Sequence, residues 1–174
     1  MTANARRLYR RLVAADVVPR PWNMDEFCRR ADEWRGRTTH LVEQPPEFWD
    51  GDVGCGGLYA MTFSTNTSDI MIIRSDGPPE WRDQCRGHEY GHLLLNHHPR
   101  GLISDAQIRR LFGDDLFTDP AYVRDLLRTH TRADLSIPIE REAEMFAELL
   151  AFTPAAPSTA DTHHVRMRYG FASG

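Results

Sequence analysis

The sequence has few cysteines, no long apolar run and no excess of positive charge, and each absence disfavours a class of protein. Its three cysteines form no CxxC pair, which disfavours a disulfide framework and predicts reduced thiols in a cytoplasmic protein. No apolar stretch approaches the roughly 20 residues of a membrane span, and the N-terminus lacks the apolar core of an export signal. The net charge of −4 disfavours direct nucleic-acid binding, because phosphate-binding surfaces are basic.

What is present suits an ordinary globular domain. The 174 residues are 41% hydrophobic and 26% charged, and a chain of this length can bury a core without disulfides. We predict one domain over residues 1–154, with two helices inserted at about 100–135. The tail, residues 155–174, is rich in Ala, Pro, Ser and Thr, and we expect it to lack regular structure.

Apolar periodicity and turn-forming residues predict an α+β fold. The expected strands cover 37–43, 58–63 and 69–74, the last two forming a hairpin. The expected helices cover 5–15, 24–34 (with Asn23 as N-cap), about 79–96, 104–112, 119–129 and 139–152. We therefore expect a small, mainly antiparallel three-stranded sheet packed against the helix at about 79–96, which carries the motif described next.

The segment His88-Glu89-Tyr90-Gly91-His92 has the pattern HExxH. On a helix, four residues turn the chain by about 400°, so His88 and His92 project from nearly the same face. Two imidazoles at this spacing can bind one Zn²⁺, and the glutamate beside the first histidine reaches a water on the metal. Glu89 is therefore the candidate general base of a hydrolase.

A catalytic zinc usually has three protein ligands, and the sequence offers two ways to complete this set. His98 lies six residues after His92, where the metzincin pattern has its third histidine. However, Leu95 stands where that pattern has a glycine, and a bulky residue resists the turn that glycine permits.

The alternative third ligand is a glutamate of the helix over 139–152. Glu140, Glu144 and Glu148 are spaced four apart, so we expect them to form one solvated face. Glu142 instead shares an apolar stripe with Ile139, Ala143, Phe146 and Leu149. A buried carboxylate requires a compensating charge, which a zinc ion would supply.

Together, His88-Glu89-Tyr90-Gly91-His92-Leu93-Leu94-Leu95 and the segment from Glu140 to Leu150 resemble the ImmA/IrrE family of HExxH zinc metallopeptidases, which have gluzincin-like sites. The resemblance covers about residues 23–154. It implies that His88, His92 and Glu142 bind zinc and that Glu89 is the catalytic acid/base. It also implies an endopeptidase whose substrate is a regulatory protein, such as a helix-turn-helix repressor or an antitoxin.

A second hypothesis is a non-catalytic, zinc-containing module that regulates a transcription factor by association. A structural zinc site does not need a general base, so the presence of Glu89 favours the peptidase. Four histidines are open as candidates for oxyanion stabilisation: His97, His130, His163 and His164. The sequence does not indicate an oligomeric state.

Overall fold

The protein combines helices with one small sheet, and the predicted α+β fold is confirmed. The computed structural model describes residues 3–49, 60–64, 68–97 and 137–154. The helices in these ranges are α1 (Ala3–Ala14), α2 (Met24–Arg35), α3 (Pro79–Leu95) and α4 (Ile137–Ala151), with a 3-10 turn at Pro46–Trp49. The strands are β1 (Thr38–Gln44), β2 (Ala60–Ser64) and β3 (Ser68–Arg74).

The sheet is mixed, so the expectation of a mainly antiparallel sheet is wrong. Its strand order is β1-β3-β2, with β3 in the centre. The pair β2–β3 is antiparallel, as the predicted hairpin requires, but β1 runs parallel to β3 from Thr38↔Ser68 to Gln44↔Arg74. Parallel pairing needs a long connection between the strands, and the chain between Gln44 and Ser68 is long enough to supply one.

Local signals in the sequence define the helix ends. The side chain of Asn23 accepts a hydrogen bond from the backbone of Glu26 at 2.8 Å, which confirms the predicted N-cap of α2. Helix α3 begins at Pro79, where the missing N–H of proline is tolerated. It ends at Leu95 and is capped by Asn96, which has a left-handed conformation (φ 58°) and donates its backbone N–H to carbonyls of the last turn.

Helices α3 and α4 pack closely because small residues line their contact. A Cβ atom added at Gly91 would lie 3.0 Å from the Cα of Ala143, whereas one added at Gly87 would lie 3.5 Å from Ala147. Around this contact the core joins the four described helices to the sheet, through buried residues that include Leu12, Phe27, Met71, Tyr90 and Phe146. The close approach brings the start of α4 beside the HExxH face of α3.

Several predictions fall outside the described residues. These are the helices at 104–112 and 119–129, the tail at 155–174, and His98. The predicted domain limits are therefore untested. In the part of the chain that the structure describes, none of the helices is both long and apolar enough to cross a membrane.

Candidate metal centre

Three side chains converge between α3 and α4 in an arrangement that could hold a metal ion. His88, His92 and Glu140 each offer a ligand atom, and these atoms lie within 4.8 Å of one another. The two Nε2 atoms are 3.0 Å apart. The carboxylate oxygens of Glu140 lie 3.4 Å from Nε2 of His88 and 3.6 Å from Nε2 of His92. The spacing of the histidines on one helix face thus brings them together as the motif predicts.

The carboxylate in this group belongs to Glu140, which the sequence assigned to a solvated face. Its side chain is only 24% exposed. Glu142 lies on the buried face, as its apolar stripe predicts, but it contacts other partners. It accepts a hydrogen bond from Asn4 at 2.9 Å and lies 3.5 Å from Nε2 of His97. Glu142 as third ligand remains a prediction, and Glu140 is the competing candidate that the geometry favours.

Glu144 supports His88 from behind, a role that the sequence did not reveal. Its carboxylate lies 3.2 Å from Nδ1 of His88, and its other oxygen accepts from Gln84 at 3.1 Å. Because Nδ1 of His88 faces the carboxylate of Glu144, its Nε2 is free to face His92 and Glu140. A sequence signal for this role exists, because Glu140 and Glu144 are four residues apart, as His88 and His92 are. Two such pairs can face each other when their helices pack together.

The electrostatics of the group favour a cation. Burial alone would lower the pKa of His88, but the carboxylates of Glu140 and Glu144 outweigh it and raise the pKa to about 9. The hydrogen bond from His88 in turn lowers the pKa of Glu144 below its usual value. A metal ion would take the place of the proton, because histidine coordinates through a deprotonated nitrogen.

Glu89 is fully buried beside the group, with one of its two oxygens unpaired. Oε2 accepts a hydrogen bond from Thr62 of β2 at 2.7 Å, whereas Oε1 has no hydrogen-bond partner among the described residues. Burial raises the pKa of Glu89, and the nearby His92 and His88 oppose that rise. A buried carboxylate oxygen without a donor is costly, and a water on a neighbouring metal would satisfy it. The residues therefore fit a bound metal ion.

Of the four histidines left open by the sequence, only His97 lies among the described residues. Its Nδ1 is 3.1 Å from Nδ1 of His92, on the side of that ring away from the group. Burial and the neighbouring His92 lower the pKa of His97. His97 thus contacts the ring of His92 at Nδ1, the nitrogen opposite the Nε2 that faces His88 and Glu140. None of its described contacts places it where it could stabilise an oxyanion.

Comparison of the chain with protein-family models, with curated proteins and with solved structures found no match. The expected family membership therefore stays a prediction.

Proposed function

We propose that this protein is a zinc-dependent endopeptidase. The observation that carries the proposal is the buried carboxylate of Glu89, which has one oxygen held by Thr62 and the other without a partner. It lies next to the group formed by His88, His92 and Glu140. A metal site that only stabilises the fold needs no buried base beside it, so this arrangement favours hydrolysis.

The types of donor in the group formed by His88, His92 and Glu140 support zinc. Two imidazoles and one carboxylate are a common set in catalytic zinc sites. The two Nε2 atoms are 3.0 Å apart, and a different oxygen of Glu140 lies near each of them, at 3.4 Å from His88 and 3.6 Å from His92, so the three side chains are close enough to share one ion. Such a site leaves a fourth position open to water and substrate.

The protein's own side chains then divide the work of hydrolysis. When bound, zinc lowers the pKa of a water and polarises the scissile carbonyl. Oε1 of Glu89 accepts the proton of the attacking water and returns it to the leaving amine. Thr62 holds the other oxygen, so the carboxylate cannot rotate away. Glu144 fixes the ring of His88 through Nδ1.

The proposed substrate is a regulatory protein, in particular a helix-turn-helix repressor or an antitoxin in the cytoplasm. This part rests on the resemblance of the HEYGHLLL and EREAEMFAELL segments to the ImmA/IrrE family.

The test compares wild type with Glu89→Gln, both loaded with zinc, on candidate helix-turn-helix regulators from the same genome. We expect Glu89→Gln to keep its zinc and to lose cleavage by about 10²- to 10⁴-fold, the usual contribution of a general base. Glu148→Gln, on the exposed side of α4, is the control and should cleave like wild type. Full cleavage by Glu89→Gln would contradict the proposal. If wild type binds the regulator stably and does not cleave it, the alternative is favoured, a non-catalytic module that regulates a transcription factor by association.

A further inference from the structure

We propose that His97 and Glu142 form a hydrogen-bond relay that orients the ligand His92, and that Asn4 of α1 ends this relay. His97 and Glu142 are positioning residues in this view, and neither touches the metal. The inference rests on the proposed metal site, with His92 coordinating through Nε2. It also gives the buried Glu142 a role other than that of third ligand.

The first contact of the relay joins the two histidine rings. Nδ1 of His97 lies 3.1 Å from Nδ1 of His92, and the rings meet edge to face with centroids 5.2 Å apart. The backbone fixes this approach. Asn96 ends α3 in a left-handed conformation, and the N–H of His97 donates to the carbonyl of His92 at 2.9 Å. The turn at the end of α3 therefore places His97 against the ring of His92.

The positions of the protons follow from coordination. A neutral imidazole has one N–H, so a His92 that binds metal through Nε2 carries its proton on Nδ1. That N–H donates to Nδ1 of His97, which must then be an acceptor and carry its own proton on Nε2. The N–H at Nε2 of His97 points to Oε2 of Glu142, 3.5 Å away. Each ring thus has one tautomer consistent with its neighbours.

Glu142 connects the relay to a different helix. Its other oxygen, Oε1, accepts from the amide of Asn4 at 2.9 Å. The side chain of Glu142 is only 11% exposed, and its carboxylate needs such donors because burying it without them is expensive. The two candidate ligands on α3 are therefore supported differently. Glu144 contacts His88 directly from α4, whereas His92 contacts His97, which connects through Glu142 to Asn4 at the start of α1.

The test measures zinc affinity by competition with a chelator, so it does not depend on peptide cleavage. The variants are His97→Ala, His97→Asn and His97→Gln. The amide oxygen of asparagine occupies a place near Nδ1 of histidine, whereas that of glutamine reaches the place of Nε2. We expect His97→Ala and His97→Gln to bind zinc about 10- to 100-fold more weakly than wild type, as loss of an outer partner usually does. We expect His97→Asn to keep most of the affinity, since it restores the acceptor for His92.

Spectra of the Co²⁺-substituted proteins separate a positioning residue from a ligand. The relay predicts that saturated His97→Ala keeps the visible absorption of the wild-type site, because no ligand is lost. His92→Ala, the matched ligand variant, should lose it. Equal zinc affinity of His97→Ala and wild type would overturn the relay alone. Loss of the Co²⁺ absorption in His97→Ala would also overturn it, by making His97 a ligand. A wild type that binds no zinc would overturn the metal site and the relay together.

Discussion

The hydroxyl of Thr62 is one of three groups that favour the ionised form of Glu89. Burial raises the pKa of Glu89, and His92, His88 and the hydrogen bond that Thr62 donates to Oε2 at 2.7 Å lower it. Because Glu89 must be ionised to accept a proton, a higher pKa shifts activity to higher pH. Thr62 on β2 thus contributes to the pKa of Glu89 on α3.

Thr62→Val should therefore move the acid limb of the pH profile of kcat/KM to higher pH. A hydrogen bond to a charged group contributes about 1.5–3 kcal/mol, and about 1.4 kcal/mol corresponds to one pH unit, so we expect a displacement of about one to two units. The control is Thr38→Val, which alters an exposed threonine of β1. An acid limb that stays in place in Thr62→Val would show that Glu89 does not govern it.

At the scale of single residues, the sequence predicts which side chains of one helix share a face. It does not predict which residues of other elements those side chains contact. His88, Glu89 and His92 follow from one turn of one helix. The third carboxylate depends on how α4 is rotated against α3, which the periodicity of α4 alone does not determine. Glu142 was assigned to the buried face and is buried, yet the donors it meets are Asn4 and His97.

The separation of α3 and α4 is set at Gly91. A Cβ at this position would meet the Cα of Ala143 at 3.0 Å and its carbonyl oxygen at 3.1 Å, and backbone atoms cannot swing aside. Glu140 lies one turn before Ala143, so any separation of the helices moves its carboxylate away from His88 and His92. The close approach of the two helices at the metal group therefore favours a glycine at position 91.

Gly91→Ala should lower the free energy of unfolding by about 1–3 kcal/mol, the usual cost of overpacking, and should also weaken zinc binding. Gly87→Ala is a matched control on the same face, because its Cβ would lie at an ordinary 3.5 Å from Ala147. We expect that control to keep zinc affinity and to gain stability, since alanine favours a helix by about 1 kcal/mol over glycine. Thermal unfolding and chelator competition measure both quantities. Equal behaviour of the two variants would contradict the role of Gly91.

Among the elements, helix bounds could be predicted better than strand pairing. The cap at Asn23 and the prolines before α3 are local signals, and both helices begin where these signals indicate. Pairing of β1 with β3 joins residues about 30 positions apart, such as Thr38 and Ser68, and no local pattern encodes its direction. The hairpin of β2 and β3 could be predicted because a short polar segment separates two β-rich runs.

An ion cluster around Asp69 ties helix α2 and strand β1 to the centre of the sheet. Asp69 is fully buried, and its carboxylate contacts Arg35 at 2.5 Å and Arg37 at 3.2 Å. Burial alone would raise the pKa of Asp69, but hydrogen bonds from Arg37 and Ser64 and the charge of Arg35 hold it below the usual value. The cluster thus stabilises the fold only while Asp69 is ionised.

The whole molecule should therefore lose stability in acid. An aspartate with a depressed folded pKa contributes fully above its unfolded pKa of about 3.9, and the contribution is lost as pH falls through the folded value. Asp69→Asn should be destabilised by about 3 kcal/mol at pH 7, because two arginines lose their charged partner. Its stability should then change less than that of wild type between pH 5 and pH 3.

Urea unfolding of the metal-free proteins at several pH values measures this difference. Asp76→Asn removes an exposed carboxylate that pairs with Arg74, and it should leave stability nearly unchanged. If Asp69→Asn loses as much stability in acid as wild type does, other groups carry the acid sensitivity.

The central claim is that His88, His92 and Glu140 hold one zinc ion, and zinc content per chain tests it most directly. Wild type, Glu140→Gln and Glu142→Gln are each saturated with zinc, freed of excess ion and analysed for bound metal. The geometry predicts about one zinc per chain in wild type and in Glu142→Gln, and loss of zinc in Glu140→Gln. Zinc retained by Glu140→Gln and lost by Glu142→Gln would contradict this assignment.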